Sequence, residues 1–157
     1  NRNLSPQEWN DFQMEWYKKY SVISVEDPFD QDAWDSWSKF TQEYGKMGMV
    51  VGDDLLTTNV ERIKMGIEKK AMNTVLIKPN QIGTISETLQ AIRVAEENGL
   101  NSIISHRSGE TNDSFIADLV VGTPSKFAKF GGLNRGERLS KYNRLLEIEK
   151  TLTKILT

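Results

Sequence analysis

TVLIKPNQIGTISETLQAIRVAEENGLNSIISHR, residues 74–107, holds one complete strand–helix–strand unit. Thr74-Val75-Leu76-Ile77 is a short apolar run, the pattern of a buried strand, and it ends at Lys78-Pro79. Thr84-Ile85-Ser86-Glu87 has the form of a capping box and so predicts a helix start. Ile85, Leu89 and Ile92 follow at helical spacing, and Asn98-Gly99 stops the helix. Ser102-Ile103-Ile104-Ser105 is a second apolar strand, ending at His106-Arg107. Strands joined in this way run parallel, because a parallel pair needs a long crossover connection.

The same alternation extends in both directions. Ser5-Pro6-Gln7-Glu8 opens a first helix, with Ser5 as cap and Glu8 completing a capping box, and it places Trp9, Phe12 and Trp16 on one face. Val22-Ile23-Ser24-Val25 reads as a buried strand ended by Glu26-Asp27-Pro28. A helix over Gln31 to Tyr44 puts Trp34, Trp37 and Tyr44 into the core, and Gly45 and Gly48 break it. Met49-Val50-Val51 is the next strand, ending at Gly52-Asp53-Asp54. Thr58 or Asn59 then caps a helix with Val60, Ile63 and Ile67 inward. Beyond the central unit come a short helix over Asp113 to Val121, a strand over Lys126 to Phe130 diluted by its lysines, and a last helix from Arg135 to Leu156. About five βα units predict an α/β fold with a parallel sheet. A closed barrel and a doubly wound sheet both meet that description. No Gly-rich phosphate fingerprint follows any strand, which disfavours the nucleotide-binding form of the open sheet.

The chain has 157 residues, 38% hydrophobic and 27% charged, enough for one well-buried core. Its 20 basic and 22 acidic side chains leave a net charge of −2, which excludes nucleic-acid binding by bulk electrostatics. No run approaches the roughly 20 apolar residues of a membrane span. The absence of cysteine excludes a disulfide framework, a thiolate metal site and a cysteine nucleophile. A single histidine excludes a multi-histidine zinc cluster. The cytosol fits this composition.

An ionisable residue stands at the end of every strand: Glu26, Asp53, Lys78, His106 and Lys129, each about one βα unit after the last. In a (β/α)8 barrel the C-terminal strand ends converge on one mouth. The expectation is therefore one pocket with two carboxylates, two ammonium groups and an imidazole. Carboxylates without cysteine or clustered histidine suit a hard, oxygen-seeking cation such as Mg²⁺. A lysine near a cation and a second lysine has its ammonium form disfavoured, which suits a general base. His106-Arg107-Ser108-Gly109 offers an anion clamp suited to phosphate. Together these predict proton abstraction next to a carboxylate on a phosphorylated substrate.

Val25-Glu26-Asp27-Pro28-Phe29, Gly52-Asp53-Asp54-Leu55, the run Leu76 to Thr84 (LIKPNQIGT) and the run Ser105 to Thr111 (SHRSGET) resemble the enolase (phosphopyruvate hydratase) family. So do Phe115-Ile116-Ala117-Asp118-Leu119 and the run Glu137 to Asn143 (ERLSKYN). The resemblance implies an α/β fold that is a partial (β/α)8 TIM-type barrel of the enolase superfamily. It implies that residues 1–157 form the C-terminal part of the barrel domain, with the N-terminal domain and first barrel strands absent from this chain. The opening at Asn1 rather than Met, and a tail shortened after Thr157, fit that expectation.

The activity implied is Mg²⁺-dependent dehydration of 2-phosphoglycerate to phosphoenolpyruvate in glycolysis and gluconeogenesis, with the isolated piece inactive. By residue match, Glu26 and Asp53 are two carboxylates on Mg²⁺. Lys78 is the base that removes the C2 proton, and Lys129 sits by the substrate carboxylate. Arg107 and Ser108 hold the phosphate, and His106 contacts the substrate and orders the site. Glu26 is also counted among the substrate-binding residues. The family further implies a homodimer in the full-length protein and a cytoplasmic location, with a second location at the cell surface or outside. Around Lys129 the family carries a Thr-Gly-Ala-Pro-like turn, whereas this chain has the bulky Phe130 followed by Gly131-Gly132. That difference keeps open a non-catalytic role of the crystallin or plasminogen-receptor type, with Lys141, Lys150 and Lys154 as a solvated lysine surface.

Overall fold

The computed structural model describes residues 3–156. Asn1 and Thr157 lie outside the described residues. The elements run α1 (Pro6–Lys19), β1 (Ser24–Glu26), α2 (Trp34–Tyr44), β2 (Met49–Gly52), α3 (Val60–Lys69), β3 (Thr74–Ile77), α4 (Pro79–Ile82), α5 (Ile85–Glu97), β4 (Asn101–Ser105), α6 (Phe115–Val121), β5 (Phe127–Lys129) and α7 (Gly136–Leu156). The five strands form one parallel sheet in the order β1-β2-β3-β4-β5.

That order decides between the two architectures left open by the sequence. A doubly wound sheet reverses its strand order at a switch point, whereas a barrel lays each strand beside the last. The strand side chains divide accordingly. Val50, Val75, Ile77 and Ile104 join the main core with Trp37, Phe40, Tyr44, Ile63, Ile92 and Leu119 from the helices. Val51, Leu76 and Ile103 form a separate small cluster with Met49 on the opposite face. Helices thus pack on one face, and the other face is an inner wall, as in half of a (β/α)8 barrel.

Local chemistry explains the elements. The capping box at Ser5 is complete: the Glu8 N–H donates to Ser5 Oγ at 3.3 Å, and Glu8 Oε2 accepts from the Ser5 N–H at 2.8 Å. Asn59 rather than Thr58 caps α3, accepting from the N–H groups of Glu61 and Arg62. Thr84 accepts from the Glu87 N–H at the start of α5, but Glu87 answers to the Thr84 hydroxyl instead of its N–H, so that box is half made.

The central strands match expectation closely, and the outer ones do not. In β1 only Val25 is buried, and Ile23 is 72% exposed. All three residues of β5 are exposed. Both are edge strands, paired on one side only, so the expected buried strand over Val22–Val25 shifts to Ser24–Glu26. The helix expected from Gln31 starts at Trp34, because a turn with the Ala33 N–H on the Asp30 carbonyl precedes it. Trp37 is fully buried with its Nε1 on the Asp30 carbonyl at 3.0 Å, while Trp34 is half-buried under the Arg62 guanidinium.

Helix α1 turns its aromatic stripe outward. Trp9, Phe12, Trp16 and Tyr20 are exposed and stack in sequence, with ring centroids 5.7, 5.8 and 5.1 Å apart. The buried residues of that helix are Asn10, Gln13 and Met14. A contiguous exposed apolar face of this kind is a feature that marks association surfaces. The chain on its own is expected to self-associate with rising concentration, as read by sedimentation velocity. Phe12→Ser with Trp16→Ser should shift it toward the monomer. An unchanged distribution would contradict this assignment.

Candidate active site at the C-terminal rim of the sheet

All five strand-tip residues lie at the same end of the sheet, because the strands are parallel and in near-level register. Val25 and Glu26 pair with Val50 and Val51, Ile77 pairs with Ile104, and Ser105 pairs with Lys129. Past the strands the backbone continues the ladder: the Asp27 N–H donates to the Val51 carbonyl at 3.1 Å, and the His106 N–H donates to the Lys129 carbonyl at 2.9 Å.

The side chains meet in pairs. Lys78 Nζ donates to Asp53 Oδ2 with both side chains largely buried, at 13% and 10% exposure. Lys129 Nζ donates to both carboxylate oxygens of Glu26 at 2.7 Å, joining the first and last strands. A sheet can bring its two edge strands together at the tips only if it curves. The two lysines are tied to different carboxylates, Lys78 to Asp53 and Lys129 to Glu26. Lys78 is held further by Thr58, whose hydroxyl accepts the Lys78 N–H at 2.9 Å and donates to Gln81 Oε1 at 2.7 Å. Gln81 sits on α4, an unexpected short helix that begins at Pro79 and closes at the left-handed Gly83.

A third carboxylate joins this rim that the sequence reading passed over. Asp27 takes a left-handed conformation, φ 45°, and accepts the N–H groups of Asp53 at 2.9 Å and Asp54 at 2.8 Å. Carboxylate oxygens of Asp27, Asp53 and Asp54 lie within 4.8 Å of one another. Burial pushes the Asp27 carboxyl above its ordinary range, and the neighbouring Asp53 and Asp54 charges add to that, against the two N–H donors. Asp53 belongs both to this cluster and to the expected Glu26–Asp53 pair, and Glu26 is turned instead toward Lys129. The donor set is oxygen only, which fits a hard divalent cation. The signal was present in the acidic doublets Glu26-Asp27 and Asp53-Asp54.

The loop after β4 carries His106, Arg107 and Ser108. Arg107 and Ser108 are exposed, and Arg107 reaches Asn80 Oδ1 at 3.4 Å. Helix α7 holds this loop from behind. Arg138 donates to His106 Nδ1, to the Arg107 carbonyl at 2.7 Å and to the Ser108 carbonyl at 3.0 Å. Burial and the Arg138 guanidinium hold the His106 imidazole below its ordinary value of 6.5. Lys141 is fully buried and donates to the carbonyls of Thr111 and Glu137 at 2.6 and 2.8 Å and to Glu110 Oε2 at 2.9 Å. It is therefore removed from the expected lysine surface with Lys150 and Lys154. Phe130 has a structural place: it is buried, edge to face with Tyr142 at 5.9 Å. The contacts that make Arg138 and Lys141 matter to this loop have no local signal, since Arg138 reaches Arg107 and Lys141 reaches Thr111, about 30 positions away.

Burial alone would raise the Glu110 carboxyl, but Lys141 and the N–H groups of Arg107 and Thr111 outweigh it and hold it below the ordinary glutamate value of 4.5. A carboxyl depressed in the folded state contributes stability above its unfolded value, and that contribution is lost as pH falls through the folded value. Acid is thus expected to loosen the 106–111 loop. Glu110→Gln should flatten the loss of stability as pH falls from about the ordinary glutamate value of 4.5 downward, as read by urea midpoints. Equal losses in parent and variant would contradict the role of Glu110.

Comparisons with known proteins agree with this geometry. Residues 1–156 match the family model described as "Enolase, C-terminal TIM barrel domain". An enolase from Elusimicrobium minutum (strain Pei191) is 54% identical over 139 residues, covering 88% of this chain and 33% of that relative. The chain thus spans about a third of the length of the curated relative it matches. With five parallel strands in sequential order, a shared rim of charged strand tips and this match along nearly its whole length, the chain belongs to the enolase family, in the C-terminal barrel domain.

Proposed function

We propose that this chain supplies the base, the carboxylate-binding and the phosphate-binding walls of a site that dehydrates 2-phosphoglycerate to phosphoenolpyruvate. The observation that carries the proposal is the rim itself, where Lys78 and Lys129 each face a carboxylate, Asp53 and Glu26, at one end of one sheet. Family membership supports the same reaction class, a hydro-lyase.

The chemical difficulty is the C2 proton. A C–H beside a carboxylate is a very weak acid, since its removal builds a second negative charge on that group. Glu26 and Asp53 would hold the metal, with Asp27 and Asp54 beside Asp53. Magnesium bound there supplies positive charge that lowers the cost of the second negative charge. Asp53 Oδ2 cannot serve Lys78 and a cation fully at once. A cation held there would compete with Lys78 for Asp53; Lys78, freed from Asp53 and with its extra proton given up to solvent, would take the C2 proton on Nζ as the neutral amine while the electron pair moves into the substrate carboxylate. Lys129 lies on the far side of the rim, where its ammonium group neutralises that carboxylate. Arg107 and Ser108, exposed at the mouth, receive the phosphate. In the second half the electron pair returns to form the C2–C3 double bond, and the C3 hydroxyl leaves as water after protonation by an acid. No side chain of this chain is assigned that acid role.

We also propose that residues 1–157 alone do not turn over substrate. Eight strands close such a barrel, and five leave β1 and β5 as open edges. Assay of the protein with its barrel complete should show Mg²⁺-dependent phosphoenolpyruvate formation. An inactive protein with every rim residue intact would overturn the reading, and the binding role would take its place.

A further inference from the structure

Of the groups around the rim, Arg138 makes the most specific set of contacts that the proposed chemistry does not use. It is 8% exposed, and its guanidinium spends its donors on three acceptors of one loop: His106 Nδ1 and the carbonyls of Arg107 and Ser108. Arginine has no acceptor. A nitrogen that faces a guanidinium N–H must itself accept, so Nδ1 carries no proton and the imidazole proton resides on Nε2. Protonating Nδ1 would set two donors head on.

A second observation, independent of that contact, shows the ring is seated. Gly131 has φ +81°, and a Cβ there would lie 2.8 Å from His106 Cε1 and 3.1 Å from Arg138 Cδ. The turn after β5 is pressed against the imidazole and the arginine together, and only a glycine permits that approach. Tyr142 fixes the same turn by donating its hydroxyl to the Gly131 carbonyl. The ring is thus held between the turn on one side and Arg138 on the other.

We propose that Arg138 is a positioning residue, which holds His106 as the neutral imidazole protonated on Nε2 and fixes the course of residues 106–108 that present Arg107 and Ser108. The proposal rests on the reading of this rim as the 2-phosphoglycerate site. Its consequence there is that His106 enters the site as a hydrogen-bond donor through Nε2 and not as a cation. The charged groups that face the ring are Arg138 and Lys141 from α7, Lys129 from β5 and Glu110 from its own loop. Three of these four are positive, and Glu110 alone favours the imidazolium.

His106 is the single histidine of the chain, so ¹⁵N NMR of the imidazole gives one pair of ring signals. In the parent, Nδ1 should remain unprotonated and Nε2 protonated down to a titration midpoint below 6.5. Arg138→Ala should move that midpoint up toward the ordinary imidazole value and let protonated Nδ1 appear. Arg138→Lys, which keeps the charge but not the fork, should recover most of the midpoint. If Arg138→Ala fails to fold, Gly131→Ala serves, since its methyl group displaces the ring from Arg138 and should move the midpoint the same way. A folded variant of either kind with the parent midpoint and the parent tautomer would overturn the proposal. The readout needs no turnover. An inactive protein whose His106 behaves as described would therefore overturn the reading of the site and leave the role of Arg138 standing.

Discussion

Replacing Lys78 by alanine is expected to lower exchange of the C2 proton of 2-phosphoglycerate with solvent by about 10³-fold, within the usual range for a removed general base. The expectation follows from position. Lys78 ends a fully buried strand, its backbone is pinned by Thr58, and its Nζ meets the carboxylate of Asp53. Its side chain is 13% exposed, so no nearby water-borne base replaces it easily. The carboxylates are untouched by the change, so Mg²⁺ affinity should be kept or should rise, because Asp53 loses its competing ammonium partner. Exchange followed by NMR in deuterated solvent, with metal affinity measured by calorimetry on the same sample, separates the two effects. Exchange that persists at the parent rate would remove Lys78 as the base. Loss of exchange together with loss of metal would show that Lys78 acts through the metal site.

The second large effect lies outside the rim. Lys141→Met should destabilise the chain by roughly 3 kcal/mol, the cost of leaving one member of a buried ion pair alone. The stem volume is nearly preserved, so no large cavity forms. The loss is chemical: Glu110 keeps its charge without the ammonium, and the carbonyls of Thr111 and Glu137 lose their donor. That is a large share of the 5–15 kcal/mol that holds a typical domain together. Urea unfolding at one fixed protein concentration measures it. Lys141→Met with Glu110→Gln should recover much of the loss, since no unpaired charge remains. A single variant within about 0.5 kcal/mol of the parent would mean that the buried lysine carries no net stability.

How much of this was legible in the sequence depended on burial. The strands β2, β3 and β4 lie inside the sheet, so both faces select apolar residues and runs such as Val75-Leu76-Ile77 stand out. The edge strands β1 and β5 carry no such constraint, and their limits moved by one or two residues or lost their burial. Helix α4 is hard to see in sequence because Pro79 both ends a strand and suits a helix start, and four residues are too few to show a helical period. The aromatic stripe of α1 has the spacing of a core face but points outward, a fact that spacing alone cannot decide.

The site divides in the same way. Strand tips are legible because parallel connectivity places them all at one end, so Glu26, Asp53, Lys78, His106 and Lys129 could be grouped from the alternation of elements. Their partners are not legible. The Glu26–Lys129 pair spans 103 residues and depends on the curvature of the sheet. Lys141 looks like any lysine on an amphipathic helix, and only the fold reveals that it is buried. Asp27 could have been read as a third acid from its place beside Glu26, but its left-handed turn toward Asp53 is a property of the backbone.

The strand tips are proposed to serve one substrate. A crystal structure of the protein with its barrel complete, holding Mg²⁺ and 2-phosphoglycerate, tests it most directly. Lys78 Nζ should lie within hydrogen-bond reach of C2's departing proton, Lys129 against the carboxylate, Arg107 and Ser108 on the phosphate, and Glu26 and Asp53 on the metal. Substrate bound elsewhere, or Lys78 and Lys129 still closed on Asp53 and Glu26 with the ligand outside the rim, would contradict it.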